Sequence, residues 1–134
     1  MTLPKVSVEL EVPFHDVDPL HVVWHGHYYK YMEIARTQLL RALGLDGPDM
    51  LELGYALFVI ESRCRYAFPL RYGEKFRVTA EIVDVDNRIN IAYEIFNLTK
   101  GRRAARGKTA LVTTDMRGNM FLETPEPVRR KLVA

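Results

Sequence analysis

Only one stretch of this chain repeats its apolar residues at helical intervals, and every other periodic stretch alternates with a period of two. From about Gly26 to Leu43, the residues Tyr28, Met32, Ala35, Leu39 and Ala42, with Tyr31 and Leu43 beside them, recur at spacings of three and four. Lys30, Glu33, Gln38 and Arg41 share the wetter side, and Gly44 supplies a C-terminal stop. Before this helix, Val6, Val8, Leu10, Val12 and Phe14 alternate with polar residues, which predicts a strand that frays or lies on an edge at Pro13. Asp, Pro and His in the segment from Phe14 to Trp24 predict a loop, and Pro48 to Leu53 predicts one further helical turn.

After Gly54 the pattern is strand throughout. Alternation runs over Phe58–Phe68, Phe76–Ile82, Ile89–Ile95 and Ala105–Thr114, with turns at Pro69–Glu74, Asp84–Arg88, Lys100–Gly101 and Asp115–Asn119. Met120–Leu122 follows, and the tail from Thr124 opens with two prolines and ends in a short helix. A strand, one long helix and then four strands is an α+β order. It predicts a single domain over residues 1–134, in which one antiparallel sheet of about five strands covers the helix. Such a sheet leaves a face and edges to hide, so the expected assembly is a homodimer pairing sheets across a two-fold axis.

Composition narrows the functional classes. With 134 residues, 48% hydrophobic and 27% charged, the chain buries enough surface to fold without disulfides or a structural metal. A net charge of +2 is too balanced to imply nucleic acid or an anionic membrane as the default partner. The single cysteine and a start without an apolar leader segment predict a cytoplasmic protein. The longest apolar run, Tyr55–Ile60, is far short of the roughly 18 residues of a membrane span.

Reactive side chains concentrate between His15 and Arg36. All four histidines, His15, His21, His25 and His27, lie there, with Asp16 and Asp18 in the predicted loop and Glu33 two turns into the helix. A carboxylate in a partly dry site acts as general base or nucleophile, and the free N–H groups of a helix start polarise a carbonyl oxygen. The same carboxylates also serve as caps and turn residues. Metal binding competes for these residues, but His25 and His27 stand two apart, whereas ligands on one helix face need three or four. No G-x-S-x-G is present, and Cys64 shares the apolar register of its strand with Ile60 and Tyr66, as a buried structural thiol would.

The segment HDVDPLHVVWHGHYYKYMEIAR resembles the opening motif of hotdog-fold acyl-CoA thioesterases of the 4-hydroxybenzoyl-CoA thioesterase group, including the Tol-Pal-cluster thioesterases. The shared features are D-x-D-x-x-x-V-V-[WY]-H, aromatic residues at the helix start and E-x-A-R. PLRYGEKFRV is similar to the P-x-x-Y-G-[DE] strand entry of that group. The resemblance implies a hotdog domain over nearly the whole chain, hydrolysis of an acyl-CoA or acyl-carrier-protein thioester, and no metal or other cofactor. It implies a homodimer or homotetramer, with neither nucleic acid nor membrane insertion.

Carried over by position, Asp18 matches the catalytic carboxylate. His25 matches the position whose backbone N–H polarises the thioester carbonyl, and where many members carry this histidine as a second active residue. Asp16 becomes a loop organiser, and Glu33 with Arg36 a structural ion pair. Apart from the resemblance, Trp24 and Tyr28 are the candidate substrate contacts, with Phe58 as a further wall of an acyl pocket, and the same set reads equally as core; Tyr28 and Tyr29 belong to core or pocket wall rather than to the catalytic groups. Arg88, Arg102 and Arg103, with Lys100, Arg106 and Lys108, are the cations that meet the phosphates of CoA or the acidic face of a carrier protein; the alternative is a solvated basic tip.

The sequence departs from the family at Leu20 and His21, where small residues, often Gly, are usual. If that glycine has a conformation closed to bulky residues, His21 predicts a shifted loop. His27 stands where Asn is common. Two other functional classes share this fold: a dehydratase or hydratase, expected to carry a His-Glu dyad elsewhere, and a non-catalytic acyl-thioester-binding subunit.

Overall fold

The computed structural model describes residues 3–133. The first strand, β1 (Lys5–Glu11), leads through a 3-10 turn at Phe14–Asp16 into helix α1 (His27–Ala42), followed by α2 (Gly47–Leu53). Four strands complete the sheet: β2 (Ala56–Tyr66), β3 (Lys75–Asp84), β4 (Ile89–Asn97) and β5 (Arg102–Thr114). A terminal helix, α3 (Glu126–Val133), ends the described chain. The order β1-β3-β4-β5-β2 is antiparallel throughout, so the architecture is the predicted α+β hotdog, a long helix wrapped by five strands.

The helix forms where the apolar stripe requires it. Tyr28, Tyr31, Met32, Ala35 and Leu39 are buried, whereas Ala42 is exposed at the helix end. They pack on the inward row Phe76, Val78, Ala80 and Ile82 of β3 and its neighbours Ile91, Tyr93 and Ile95 of β4, in one contiguous core. Helix and sheet also meet tightly at Gly107 on β5, where an added Cβ would sit 2.7 Å from Met32 and 2.9 Å from the Arg63 carbonyl oxygen. Helix α2 is fixed by a reciprocal capping box between Asp46 and Asp49 and stops at Gly54, whose φ of 82° favours glycine.

The expected alternation of Phe58, Ile60, Cys64 and Tyr66 on one face of β2 does not hold. A bulge between Val59 and Glu61 leaves Ile60 without a partner in the ladder. Beyond it, Ser62, Cys64 and Tyr66 stand opposite Thr109, Gly107 and Ala105. One extra residue shifts every later side chain to the other face. Cys64 is half-buried, and burial pushes its thiol above the usual range. No helix among the described residues is long and apolar enough to cross a membrane.

Candidate functional site

The loop before α1 is a tight hairpin. Val17 bridges Val23, the Asp18 N–H donates to Val22 O at 2.9 Å, and the His21 N–H returns to Asp18 O at 2.9 Å. Pro19 takes the second turn position, and His21 closes the turn at φ 67°, the only non-glycine residue with positive φ among the described residues. This is a three-residue hairpin loop ending in a left-handed residue, a position that suits glycine. The departure at His21 therefore does not open the turn; His21 adopts the left-handed conformation at a cost of roughly 1–2 kcal/mol. Asp18 is half-buried, and its Oδ1 accepts the Leu20 N–H at 2.9 Å. Its other oxygen meets no protein donor among the described residues.

Asp16 holds this hairpin to the helix. Its side chain is 1% exposed, with Lys30 Nζ 2.7 Å from Oδ1 and the Tyr31 hydroxyl donating to Oδ2 at 2.5 Å. Its carbonyl accepts the Trp24 N–H at 3.0 Å. His27 and His15 approach Oδ1 at 3.7 and 3.8 Å. Burial opposes ionisation, yet the hydrogen bonds from Lys30 and Tyr31 and the charges of Lys30 and His27 hold the carboxyl below its usual range. Burial and the Asp16 carboxylate push the Tyr31 phenol far up, so it stays a donor.

A carboxyl depressed in the folded state contributes stability that is present above its unfolded pKa of about 3.9 and is lost as pH falls through its folded value. Thermal melts between about pH 5 and pH 2 should fall more steeply for the wild type than for Asp16→Asn. Parallel curves for the two proteins contradict this account of Asp16.

At the helix start, the His27 N–H donates to Trp24 O at 2.9 Å, which closes a turn over His25 and Gly26. The backbone N–H groups of His25 and Gly26 donate to no acceptor among the described residues. They stand at the positive end of a 16-residue helix whose first turn carries no acidic residue. Tyr66, from the far end of β2, donates its hydroxyl to His25 O at 2.9 Å and stacks edge-on to the His25 ring at 6.0 Å. Burial foremost, with Cys64 beside it, raises the Tyr66 phenol, which keeps it protonated for this bond.

The Trp24 ring lies 5.2 Å from His25 and 5.4 Å from His27. It occupies the space over Gly26, where an added Cβ would come within 2.2 Å of the indole. Since Trp24 is the only tryptophan and is 49% exposed, Gly26→Ala should swing the ring away. The expected result is a red-shifted fluorescence with a stability change within about 0.5 kcal/mol. An unshifted emission contradicts this packing.

The remaining predicted residues divide. Tyr28 is 3% exposed, T-stacked on Tyr66 at 4.9 Å, and burial pushes its phenol up to about 12. It packs in the core, one of the places the helical stripe left open for it beside a substrate contact. Its exposed neighbour Tyr29 lines an open cleft of about 690 Å³ that also touches Cys64 and Tyr93. Glu33 and Arg36 form no ion pair within 4 Å among the described residues; Arg36 instead acts on Tyr93, lowering its phenol against the larger effect of burial.

The cations do not form one cluster. Arg102 covers the Phe68 ring at 4.3 Å and Arg103 pairs with Glu94 at 3.2 Å, whereas Arg88 precedes the opposite end of β4. Nine residues of strand between them span roughly 27 Å. Among the described residues, no group of three His, Cys, Asp or Glu is placed to hold a metal ion. Sequence reasoning missed Lys30, Tyr31 and Tyr66 as members of the site. Lys30 and Tyr31 read as ordinary helix positions, and Tyr66 lies 41 residues from His25, too far for any spacing rule to connect them.

A helix start with unclaimed N–H groups beside a carboxylate hairpin is an arrangement chemically able to act on an acyl thioester. The chain belongs to the thioesterase-like superfamily, whose family model matches residues 12–132. It is 30% identical over 95% of its length to “Putative esterase” from Synechocystis sp., covering 78% of that protein. It is 33% identical over 66% of its length to “Putative acyl-CoA thioesterase” from Bacillus subtilis, covering 65% of it. Among solved structures, DHNA-CoA thioesterase from Staphylococcus aureus superposes with a TM-score of 0.79 at 28% identity, over 88% of this chain and 80% of that one. The protein is an enzyme, a thioester hydrolase in the general sense.

Proposed function

We propose that this site hydrolyses an acyl thioester carried on coenzyme A or an acyl carrier protein, with Asp18 as nucleophile or general base. The backbone N–H at His25 polarises the carbonyl in this reading. The observation that carries the proposal is the pair of unclaimed N–H groups at His25 and Gly26, on a helix start steadied by Tyr66 and flanked by the Asp18 hairpin. The positive end of a helix favours the oxyanion that forms when the thioester carbonyl is attacked.

The chemistry asked of these groups is modest. A leaving thiol with a pKa of about 8.5 departs as thiolate without a strong acid behind it, so a base and an oxyanion donor suffice. Trp24, half-exposed beside the helix start, contacts the acyl or pantetheine portion. The D-x-D hairpin and E-x-A-R helix favour the 4-hydroxybenzoyl-CoA and Tol-Pal-cluster groups within the superfamily. The test is thiol release from short-chain, long-chain and aromatic acyl-CoAs, with acyl carrier protein thioesters alongside. Release from at least one is expected, and none from any overturns the proposal.

The working unit is a homodimer joined at β2. This 11-residue strand is one of the two sheet edges and exposes Phe58, Val59 and Ile60, an arrangement that proteins commonly cover. Sedimentation of the wild type should give twice the 15.5 kDa chain mass, and Phe58→Arg should shift it toward the single chain. A wild type that sediments as one chain rules the dimer out.

A further inference from the structure

Tyr66 reaches the helix start because β2 carries one residue more than its partner strand. Ahead of the bulge, Phe58 stands opposite Val112, beside the core residue Leu111 and so on the face of the sheet turned away from α1. Strict alternation would keep Ser62, Cys64 and Tyr66 on that face with Phe58. The unpaired Ile60 turns them over. Tyr66 then stands opposite Ala105, which with its β4 partner Ile95 belongs to the core. Bulges beside functional sites re-aim side chains in this way. Just beyond, the N–H groups of Ala67 and Phe68 both donate to Ala104 O, at 2.8 and 3.1 Å, and pin the end of the strand. Edge-on contact with Tyr28 at 4.9 Å holds the Tyr66 ring itself.

The phenol meets one particular peptide group. His25 O accepts the Tyr66 hydroxyl at 2.9 Å and, on the same oxygen, the Tyr28 N–H at 3.3 Å. That oxygen shares its peptide with the Gly26 N–H. No peptide bond among the described residues is cis, so this N–H points away from the oxygen and from Tyr66. Hydrogen bonds in series polarise one another, by about 10–30% per bond. Two donors on the His25 carbonyl therefore make the Gly26 N–H a stronger donor than an ordinary amide. It is also free to act, since it donates to no acceptor among the described residues, and neither does the adjacent N–H of His25.

We propose that Tyr66 is a positioning residue for the reaction: its phenol, aimed by the bulge in β2, fixes and polarises the His25–Gly26 peptide, so that the Gly26 N–H joins the His25 N–H as a second donor to the oxyanion. The inference rests on the thioester reading of the helix start and adds to it a second donor, whose strength is set from the far end of an edge strand. A polarised donor gains more from an oxyanion than from the carbonyl oxygen it develops from, because the interaction grows with the charge on that oxygen. The contribution of Tyr66 therefore falls on turnover and not on binding.

Tyr66→Phe keeps the ring against Tyr28 and deletes only the donor. In thiol-release assays of the full chain, kcat should fall about tenfold, the order of one hydrogen bond, with KM within about twofold of wild type. The melting temperature should drop by no more than about 4 °C, since the ring contacts remain. A bond that merely steadies the loop predicts a raised KM or a larger loss of stability with kcat kept, and either result overturns the proposal. Deuterium exchange at the Gly26 amide, followed by NMR, reads the polarisation without turnover. It should be slower in Tyr66→Phe, because an unpolarised amide is a weaker acid, whereas a loosened helix start would exchange faster. Exchange that is unchanged or faster in the variant overturns the role of Tyr66 and leaves the hydrolase reading standing. Absent thiol release by the wild type, with slower Gly26 exchange in the variant, overturns the hydrolase reading and leaves the coupling of Tyr66 to this peptide standing.

Discussion

Asp18→Asn is expected to lower kcat by about 10²–10⁴ while leaving the melting temperature nearly unchanged. The asparagine keeps the shape of the side chain and retains an oxygen for the Leu20 N–H, so the hairpin has no reason to open. What it loses is the negative charge on the oxygen that meets no protein donor, the group able to attack a carbonyl or take a proton from water. The measurement is steady-state thiol release beside a thermal melt. Turnover near wild type removes Asp18 from the mechanism. A collapse in melting temperature shows instead that the carboxylate is structural.

His25→Pro and His25→Ala should diverge sharply. The turn over His25 and Gly26 places position 25 second, where proline fits and helps the turn, and proline deletes the backbone N–H. Losing an oxyanion donor costs about 10²–10³ in kcat. Alanine keeps that N–H and removes only the imidazole, so a loss under about tenfold assigns the work to the backbone. Equal losses in both variants assign it to the ring. The carbonyl of residue 25 is present in both variants, so the Tyr66 hydrogen bond survives and the helix start keeps its anchor.

These two experiments separate what the hairpin does from what holds it. The D-x-D spacing was legible in the sequence, but the division of labour within it depends on contacts from elsewhere. Asp16 is buried because Lys30 and Tyr31, adjacent residues about one turn into the helix, converge on its two oxygens. Without those partners, burying the charge would cost several kcal/mol. Asp18, two residues on, points its carboxylate into a turn instead. Residues two apart would share a face of a regular strand; the 3-10 turn that ends at Asp16 and the hairpin that starts at Val17 break that register, and no property of the two aspartates alone says which one the helix will meet.

Trp24, Tyr28 and Tyr29 make the same point. All three read as aromatic residues at a helix start, and the three-and-four spacing correctly puts Tyr28 on the packed stripe with Met32 and Ala35. Only the sheet decides how deep each sits. Tyr28 is sealed beneath Tyr66, Tyr29 opens onto the cleft, and Trp24 folds back over Gly26. Likewise Arg88 and Arg102 were candidates for one anionic ligand until the length of β4 came between them, while Arg63 and Arg65 became neighbours of Arg106 and Lys108 through β2–β5 pairing.

The sequence by itself determined the element order, the single central helix with its buried stripe, and the loop that delivers two aspartates to the helix start. Those are local matters of period, turn chemistry and short spacing, and a chain of alternating strands with one amphipathic helix has few other ways to bury its apolar faces. The tertiary structure decided the bulge at Ile60, the left-handed His21, the tie of Asp16 to Lys30 and Tyr31, and the hold of Tyr66 on His25. It also set the cationic row of β2 against that of β5. Most of these depend on pairings between distant segments; the strain at His21 is local, but the hairpin that imposes it is closed by the Val17–Val23 bridge and held by the Leu70 carbonyl, which accepts the Val23 N–H.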